Sequence, residues 1–201
     1  MSKFACALRE QRWDDHRYYH HSRINQTLHL VSALCFLGGY VMMFKDPVVA
    51  AWIGWIAAMT TRQAGHFFFE PKGFDEVNQV THEYKEEIKV GYNLFRKVVL
   101  LSIWVAMPAT LYFDPTFFGL YADGSTDDQV LRHTGELGLA LGAGALLFRV
   151  LQLWVQKDLQ TGLVWLTKIL TDPFHDVALY YKAPLALLRG ELYEVRRERS
   201  H

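Results

Sequence analysis

Apolar residues gather into four segments along the chain, and charge collects between them. The segments run from about Gln26 to Phe44, Pro47 to Glu70, Val98 to Phe113 and Leu131 to Lys157. Each is apolar around its whole circumference, which predicts helices covered on every side by protein or lipid. Local signals set their ends. Asn25 is the predicted N-cap of the first helix, because its side-chain oxygen accepts from a free backbone N–H. Lys45-Asp46-Pro47 predicts a tight turn, with Pro47 in the opening turn of the second helix. Pro71-Lys72-Gly73 ends that helix, and Pro108 predicts a kink in the third. Asp114 to Asp128, rich in Asp, Gly and Ser, predicts a loop.

The flanking stretches are different. Residues 1–24 are polar and aromatic, with His16, His20 and His21 close together. Residues 74–97 carry Glu83, Lys85, Glu86, Glu87 and Lys89 and predict a surface helix. From residue 158 onward an amphipathic helix runs through Leu163, Trp165, Leu166, Ile169 and Leu170. A break at Asp172-Pro173, a shorter helix and a basic tail are expected after it. No internal repeat is visible, and one domain over residues 1–201 is expected.

An apolar fraction of 51% and an aromatic fraction of 14% are high for a soluble protein. The expected fold class is all-α: an integral membrane bundle of about four transmembrane helices, with amphipathic helices on the cytoplasmic side. The runs are short beside the roughly 20 residues a span requires. The second is unbroken only from Val48 to Met59. A compact soluble α-bundle is the alternative, and the all-round apolarity favours the membrane.

Basic residues then orient the bundle. Five precede the first helix, six lie from Arg62 to Lys97, and seven lie from Lys157 onward. The 1–2 turn has only Lys45 and the 3–4 loop only Arg132. The positive-inside rule puts both termini and the 62–97 stretch on the cytoplasmic side, in a bacterial inner membrane or the endoplasmic reticulum. The 21 basic and 21 acidic residues balance, which argues against a nucleic-acid partner. Cys6 and Cys35 imply no disulfide framework, and the charged N-terminal stretch predicts no secretory signal.

That orientation collects the histidines. Of nine, only His133 falls on the far side; the terminal His201 carries no weight. His16, His20, His21 and His29 come at the cytoplasmic start of the first helix, and His66 at the cytoplasmic end of the second. His82 and His175 lie in cytoplasmic segments. Several imidazoles at one depth, on different elements, predict a metal site for iron, zinc or copper. An ionisable residue within a membrane is a functional candidate by default, whereas a histidine at a helix end often only bonds free carbonyls. His29 and His66, in apolar settings, are the stronger ligand candidates, and His16 and His21 are the more solvated. His82 fits either the site or the solvated face of its helix. Glu70 lies one helical turn after His66, on the same face. It is a ligand, a partner that orients His66, or a charged helix end.

The stretch from Tyr19 to His29 resembles the signature Tyr-His-x-x-x-x-Asn-x-x-x-His, and Gly65 to Glu70 resembles Gly-His-x-x-x-Glu at the end of a later apolar helix. These are the signatures of the membrane 2-hydroxy-fatty-acid dioxygenases of α-oxidation, a family that includes the fungal enzyme converting phytosphingosine to odd-numbered fatty acids. The resemblance covers about residues 10–97. It implies Fe(II) held by His20, His29 and His66, with Asn25 and Glu70 as catalytic companions. The chain departs from the family in Ser22-Arg23, where Asn-Pro is usual, and in Pro71-Lys72-Gly73-Phe74 after the glutamate. Residues 114–201 match nothing in it.

The resemblance further implies a 2-hydroxy fatty acid and O₂ as substrates and the bilayer as partner. Carbon 1 leaves as CO₂ and carbon 2 becomes a carboxylate, with no reductant required. That agrees with the lack of a flavin or nicotinamide fingerprint. Phe67 to Phe69, Trp52 and Trp55 are candidate linings for the acyl channel, and Arg62 and Lys72 candidate partners for the substrate carboxylate. Arg149, among Leu146, Leu147, Phe148, Val150 and Leu151, is expected to be paired, with Glu70 or a lipid head, or to snorkel. Two rivals stand beside this. His16-x-x-x-His20-His21 looks like one box of a membrane di-iron hydroxylase or desaturase, whose later boxes are missing here. A haem-binding or scaffold membrane protein would use its histidines as axial ligands or structurally.

Overall fold

Helix formation follows the apolar segments, and the ends are set by caps. The computed structural model describes residues 2–70, 73–76, 78–92, 94–122 and 126–194, with only the backbone at Leu94. All regular structure among them is helical, apart from isolated bridges joining Ser22 to Tyr193 and Asp75 to Val80. The fold is all-α. The helices are α1 (Lys3–Tyr19), α2 (Arg23–Met42), α3 (Pro47–Trp52), α4 (Thr60–Phe68), α5 (His82–Ile88), α6 (Leu94–Phe113), α7 (Asp127–Gln156), α8 (Leu159–Tyr180) and α9 (Ala183–Leu188). A π-helical stretch, Ile53–Met59, joins α3 to α4, so the second apolar segment is one helix with a wider turn in its middle. Asp46 caps α3 through Val48 N–H at 3.0 Å, with Pro47 at its start, as the sequence predicts. Pro108 lies inside α6 without ending it.

Several elements differ from expectation. Ser22, not Asn25, is the N-cap residue of α2. The extended backbone at Ser22 meets the C-terminal segment: Arg23 N–H donates to Leu192 O at 2.9 Å and Glu194 N–H to His21 O at 3.0 Å. Backbone thus satisfies a donor that a side chain was expected to serve. Residues 3–19 form a full helix, capped by Ser2 Oγ accepting from Ala5 N–H. The expected surface helix over 74–97 is confined to His82–Ile88, capped by Thr81. The expected break at Asp172-Pro173 is absent, and α8 runs through it to Tyr180. Pro173 loses one helical hydrogen bond. Ion pairs from Asp172 to Lys168 and Arg12, and from Asp176 to Arg62, hold the helix across that gap.

Polar side chains share the interior with apolar ones, and many large apolar side chains face outward. The largest fully buried side chains include Lys85, His29, Gln26 and Asn25. Val98, Val99, Ile103 and Val105 on α6, and Leu147, Phe148, Leu151 and Val155 on α7, face outward. Two helical stretches, Phe95–Phe113 and Asp127–Gln156, are long and apolar enough to cross a membrane, and most of their residues are not buried in protein. Outward apolar surface of this extent requires a covering. Cys6 is exposed and Cys35 half-buried, and both are free. Ties at both ends hold the bundle. Asp46 pairs with Arg132 at 3.2 Å at one end. At the other, Arg149 donates to the carbonyls of Val90 (2.6 Å) and Gly91 (3.1 Å) and to Gln152 Oε1. Arg149 therefore neither pairs with Glu70 nor reaches outward.

Candidate metal centre

The site is built where α2 crosses α4. Gly65, just before His66, is what allows the crossing. A Cβ there would collide with Asn25 Oδ1 and stand 3.3 Å from the His29 ring. Without it, His29 and His66 come to 4.9 Å between ring centroids. His20, on the link between α1 and α2, lies 4.0 Å from His29 and 5.5 Å from His66. One ring nitrogen from each of the three falls within 4.8 Å of the others, a grouping that could hold one metal ion. His20 is 4% exposed and His29 fully buried.

Hydrogen bonding fixes which nitrogens are available. His66 Nδ1–H donates to Glu70 Oε2 at 2.8 Å, and Lys89 Nζ holds the other carboxylate oxygen at 3.1 Å. That leaves His66 Nε2 with a lone pair. For His20 the assignment passes through Tyr180. With the His16 proton on Nε2, which faces Glu194 Oε2 at 3.4 Å, His16 Nδ1 accepts from the Tyr180 hydroxyl at 3.3 Å. The Tyr180 oxygen then accepts from His20 Nδ1–H at 2.9 Å. His20 Nε2 is left buried with no partner, as are both ring nitrogens of His29. Buried polar atoms are rarely left unsatisfied, so these three orphaned nitrogens call for a group that the protein does not itself supply. An imidazole donor set suits iron, zinc, copper or nickel.

Electrostatics keep the site ready for a cation. Burial, and then the neighbouring His29 and His66 rings, hold the pKa of His20 well below the ordinary histidine value, so its imidazole is neutral at pH 7. Burial pushes the Tyr180 hydroxyl well above its usual range, so it stays protonated. His29 Nδ1 lies 3.7 Å from Asp176 Oδ2, and Asp176 is held by Arg62 at 3.0 Å. Lys168 bridges Asp172, at 2.7 Å, and Asp15. This ionic lattice joins α1, α4 and α8 behind the histidines.

The other candidates are placed as follows. Asn25 is fully buried beside Gly65, its amide donating to Tyr19 O at 2.8 Å. Glu70 bonds the ring of His66, and its oxygens are not among the grouped ligand atoms. His82 is exposed at the start of α5 and His175 half-buried on α8; neither joins the group. His21 faces Asp75 and Asn78 instead. Lys72 lies outside the described residues. Arg62 is committed to Asp172 and Asp176. Tyr180 and Asp176 went unnoticed in the sequence, although Lys168, Asp172, Asp176 and Tyr180 recur every four residues, one polar stripe on an apolar helix.

A cavity of about 450 Å³ opens beside the triad, within the range of about 300–1,000 Å³ for small-molecule sites. Its lining is mostly apolar, with Phe36, Met43, Trp55, Trp104 and Leu146 in it. Its charged and imidazole lining is Asp14, Asp15, Arg62, His66, Lys89, Lys97 and Lys168. Of the expected channel residues Trp55 lines it, whereas Trp52 and Phe67 to Phe69 do not. Comparison with known proteins adds no neighbour: no protein-family model, no curated protein and no solved structure matches the chain.

Proposed function

We propose that this chain is a membrane-embedded, Fe(II)-dependent dioxygenase that shortens 2-hydroxy fatty acids by one carbon. One observation carries it: ring nitrogens of His20, His29 and His66, from separate segments, lie within 4.8 Å of one another beside an apolar cavity, and His20 Nε2 and both nitrogens of His29 are buried without a partner. Bound among them, Fe(II) supplies a chelation point for the substrate hydroxyl and carboxylate and an electron path to O₂. Three protein ligands leave positions open for both. The reaction balances as R–CH(OH)–COOH + O₂ → R–COOH + CO₂ + H₂O, so neither a reductant nor an organic cofactor is required.

Each residue then has a defined task. His20, His29 and His66 hold the metal. Glu70, itself held by Lys89, keeps the His66 proton on Nδ1, and Tyr180 does the same for His20. Asn25 packs against Gly65 and keeps α2 and α4 close. The aromatic and aliphatic walls of the cavity take the acyl tail and exclude water. The same proposal makes α2 and the helix from Pro47 to Phe68 two further spans beside α6 and α7, a four-helix membrane bundle. Outward Val31, Leu34, Val41, Val49 and Ile56 support that. The basic residues around residues 1–24, 62–97 and beyond 157 support a site on the cytoplasmic side.

The test is oxygen uptake. Purified protein in detergent, loaded with Fe(II), is given a 2-hydroxy fatty acid. O₂ consumption with equimolar CO₂ and an acid one carbon shorter is expected. Uptake no greater than that of the metal-free protein would overturn the assignment.

A further inference from the structure

The polar part of the cavity contains one cation unlike the rest. Arg62 is paired with Asp172 and Asp176, Lys89 with Glu70 and Glu86, and Lys168 with Asp15 and Asp172. Lys97 lines the same cavity as His66 and has no counter-ion within 4 Å among the described residues. The charges that act on it most strongly are Lys89, Glu70, Asp15 and Arg62, two of each sign. Both acids in that group already serve other cations. The positive charge of Lys97 is therefore uncompensated, in a largely apolar enclosure where an unpaired charge is costly. A ligand that brings one negative charge and an apolar tail satisfies both the ammonium and the walls.

We propose that Lys97 is the carboxylate-recognising residue of this cavity, and that it selects a single-chain amphiphile with an anionic head over its uncharged counterpart. This rests on the dioxygenase assignment for the identity of the head group, a 2-hydroxy carboxylate. Lys97 positions the carboxylate beside His66, and Trp55 and Trp104 flank the tail. Arg62, one of the two candidates the sequence offers for this role beside Lys72, is already paired with two aspartates.

Binding to the metal-free protein isolates this contact from any metal. Trp55, Trp104 and Trp165 line the cavity, so a dibrominated octadecanoic acid that enters it quenches tryptophan fluorescence. Quenching is titrated at neutral pH with the acid and with its methyl ester, in wild type, Lys97→Met, Lys97→Gln and Lys97→Arg. The wild type is expected to favour the acid by about tenfold or more, the scale of one charge-assisted hydrogen bond. Lys97→Met and Lys97→Gln should lose that preference while binding the ester as wild type does, which also reports an intact cavity. Lys97→Arg should restore it. A wild type with no preference for the acid overturns the proposal, as does a preference that survives in Lys97→Met or Lys97→Gln. Oxygen uptake on the iron-loaded wild type separates the two assignments. Acid selectivity without uptake leaves Lys97 in its role and removes the dioxygenase; uptake without selectivity does the reverse.

Discussion

The two ends of the bundle each hold histidine, tryptophan, tyrosine and a charged pair, yet among the described residues only one end brings three histidines together. At the far end His133 stacks on Tyr121 with ring centroids 3.6 Å apart, its Nδ1 unpartnered, and no other histidine among the described residues groups with it. Asp46 and Arg132 pair there, half-exposed and exposed respectively. At the near end three imidazoles meet, and the rings of His20 and His66 each have a partner on Nδ1, Tyr180 and Glu70. One unpartnered nitrogen is a local imperfection. Unpartnered nitrogens on two rings, with a third ring beside them and carboxylate and hydroxyl supports behind, make a group that could hold a metal ion. What separates the ends is the number of elements that deliver imidazoles to one point, not the presence of histidine.

The sharpest break between the ends is the ligand itself. His29→Ala or His66→Ala should lose metal affinity beyond the roughly 10–100-fold typical of losing an orienting partner, and should abolish oxygen uptake. His133→Ala should leave both unchanged. Metal content after dialysis against a graded chelator measures the difference, and retained iron in His29→Ala would dissolve the proposed site.

Glycine substitutions sharpen the same contrast. A Cβ at Gly65 collides with Asn25 and presses on His29, whereas one at Gly135 meets Val48 Cγ1 at 2.7 Å in the far half. Each should cost about 1–3 kcal/mol of stability by overpacking. Only Gly65→Ala should also weaken metal binding, because only there does the strain separate two ligand-bearing helices. Equal metal affinity in the two variants would show that the α2–α4 crossing does not set the site.

The smallest effect is graded with pH. Burial keeps His20 neutral in the folded protein, whereas in the unfolded chain it protonates near the ordinary value of about 6.5. The unfolded state therefore binds more protons below that pH. The metal-free protein should be fully stable above it and lose stability steadily as pH falls towards the depressed folded value. Metal should remove most of this slope by excluding the proton. Thermal melts of both forms across that range check it; a flat metal-free profile would mean that His20 is not buried as described.

Much of this was legible in the chain. The apolar segments located α2, the Pro47–Phe68 helix, α6 and α7 within a few residues, because all-round apolarity is a local property. Pro47 after Asp46 read correctly as a helix start for the same reason. The pairing of Gly65-His66 with Glu70 was also local, since residues one turn apart share a face. Asn25 misled because its amide is engaged by Tyr19 O and the capping position is set by a strand-like contact from residues 192–194, distant in sequence. The break placed at Pro173 failed similarly: ion pairs from α1 and α4 outweigh one missing hydrogen bond.

By itself the sequence determined that the protein is helical, where its long apolar helices lie, and that His20, His29 and His66 are ligand candidates. Only the tertiary structure decided which histidines meet, leaving out His82 and His175. It also decided which nitrogens remain free, through Tyr180 and Glu70, and which cation near the cavity is unpaired. The physical reason is the range of the interactions. Helix propensity and amphipathicity act over one or two turns, whereas ligand convergence and charge compensation are settled between α1, α2, α4 and α8, elements up to about 160 residues apart in the chain.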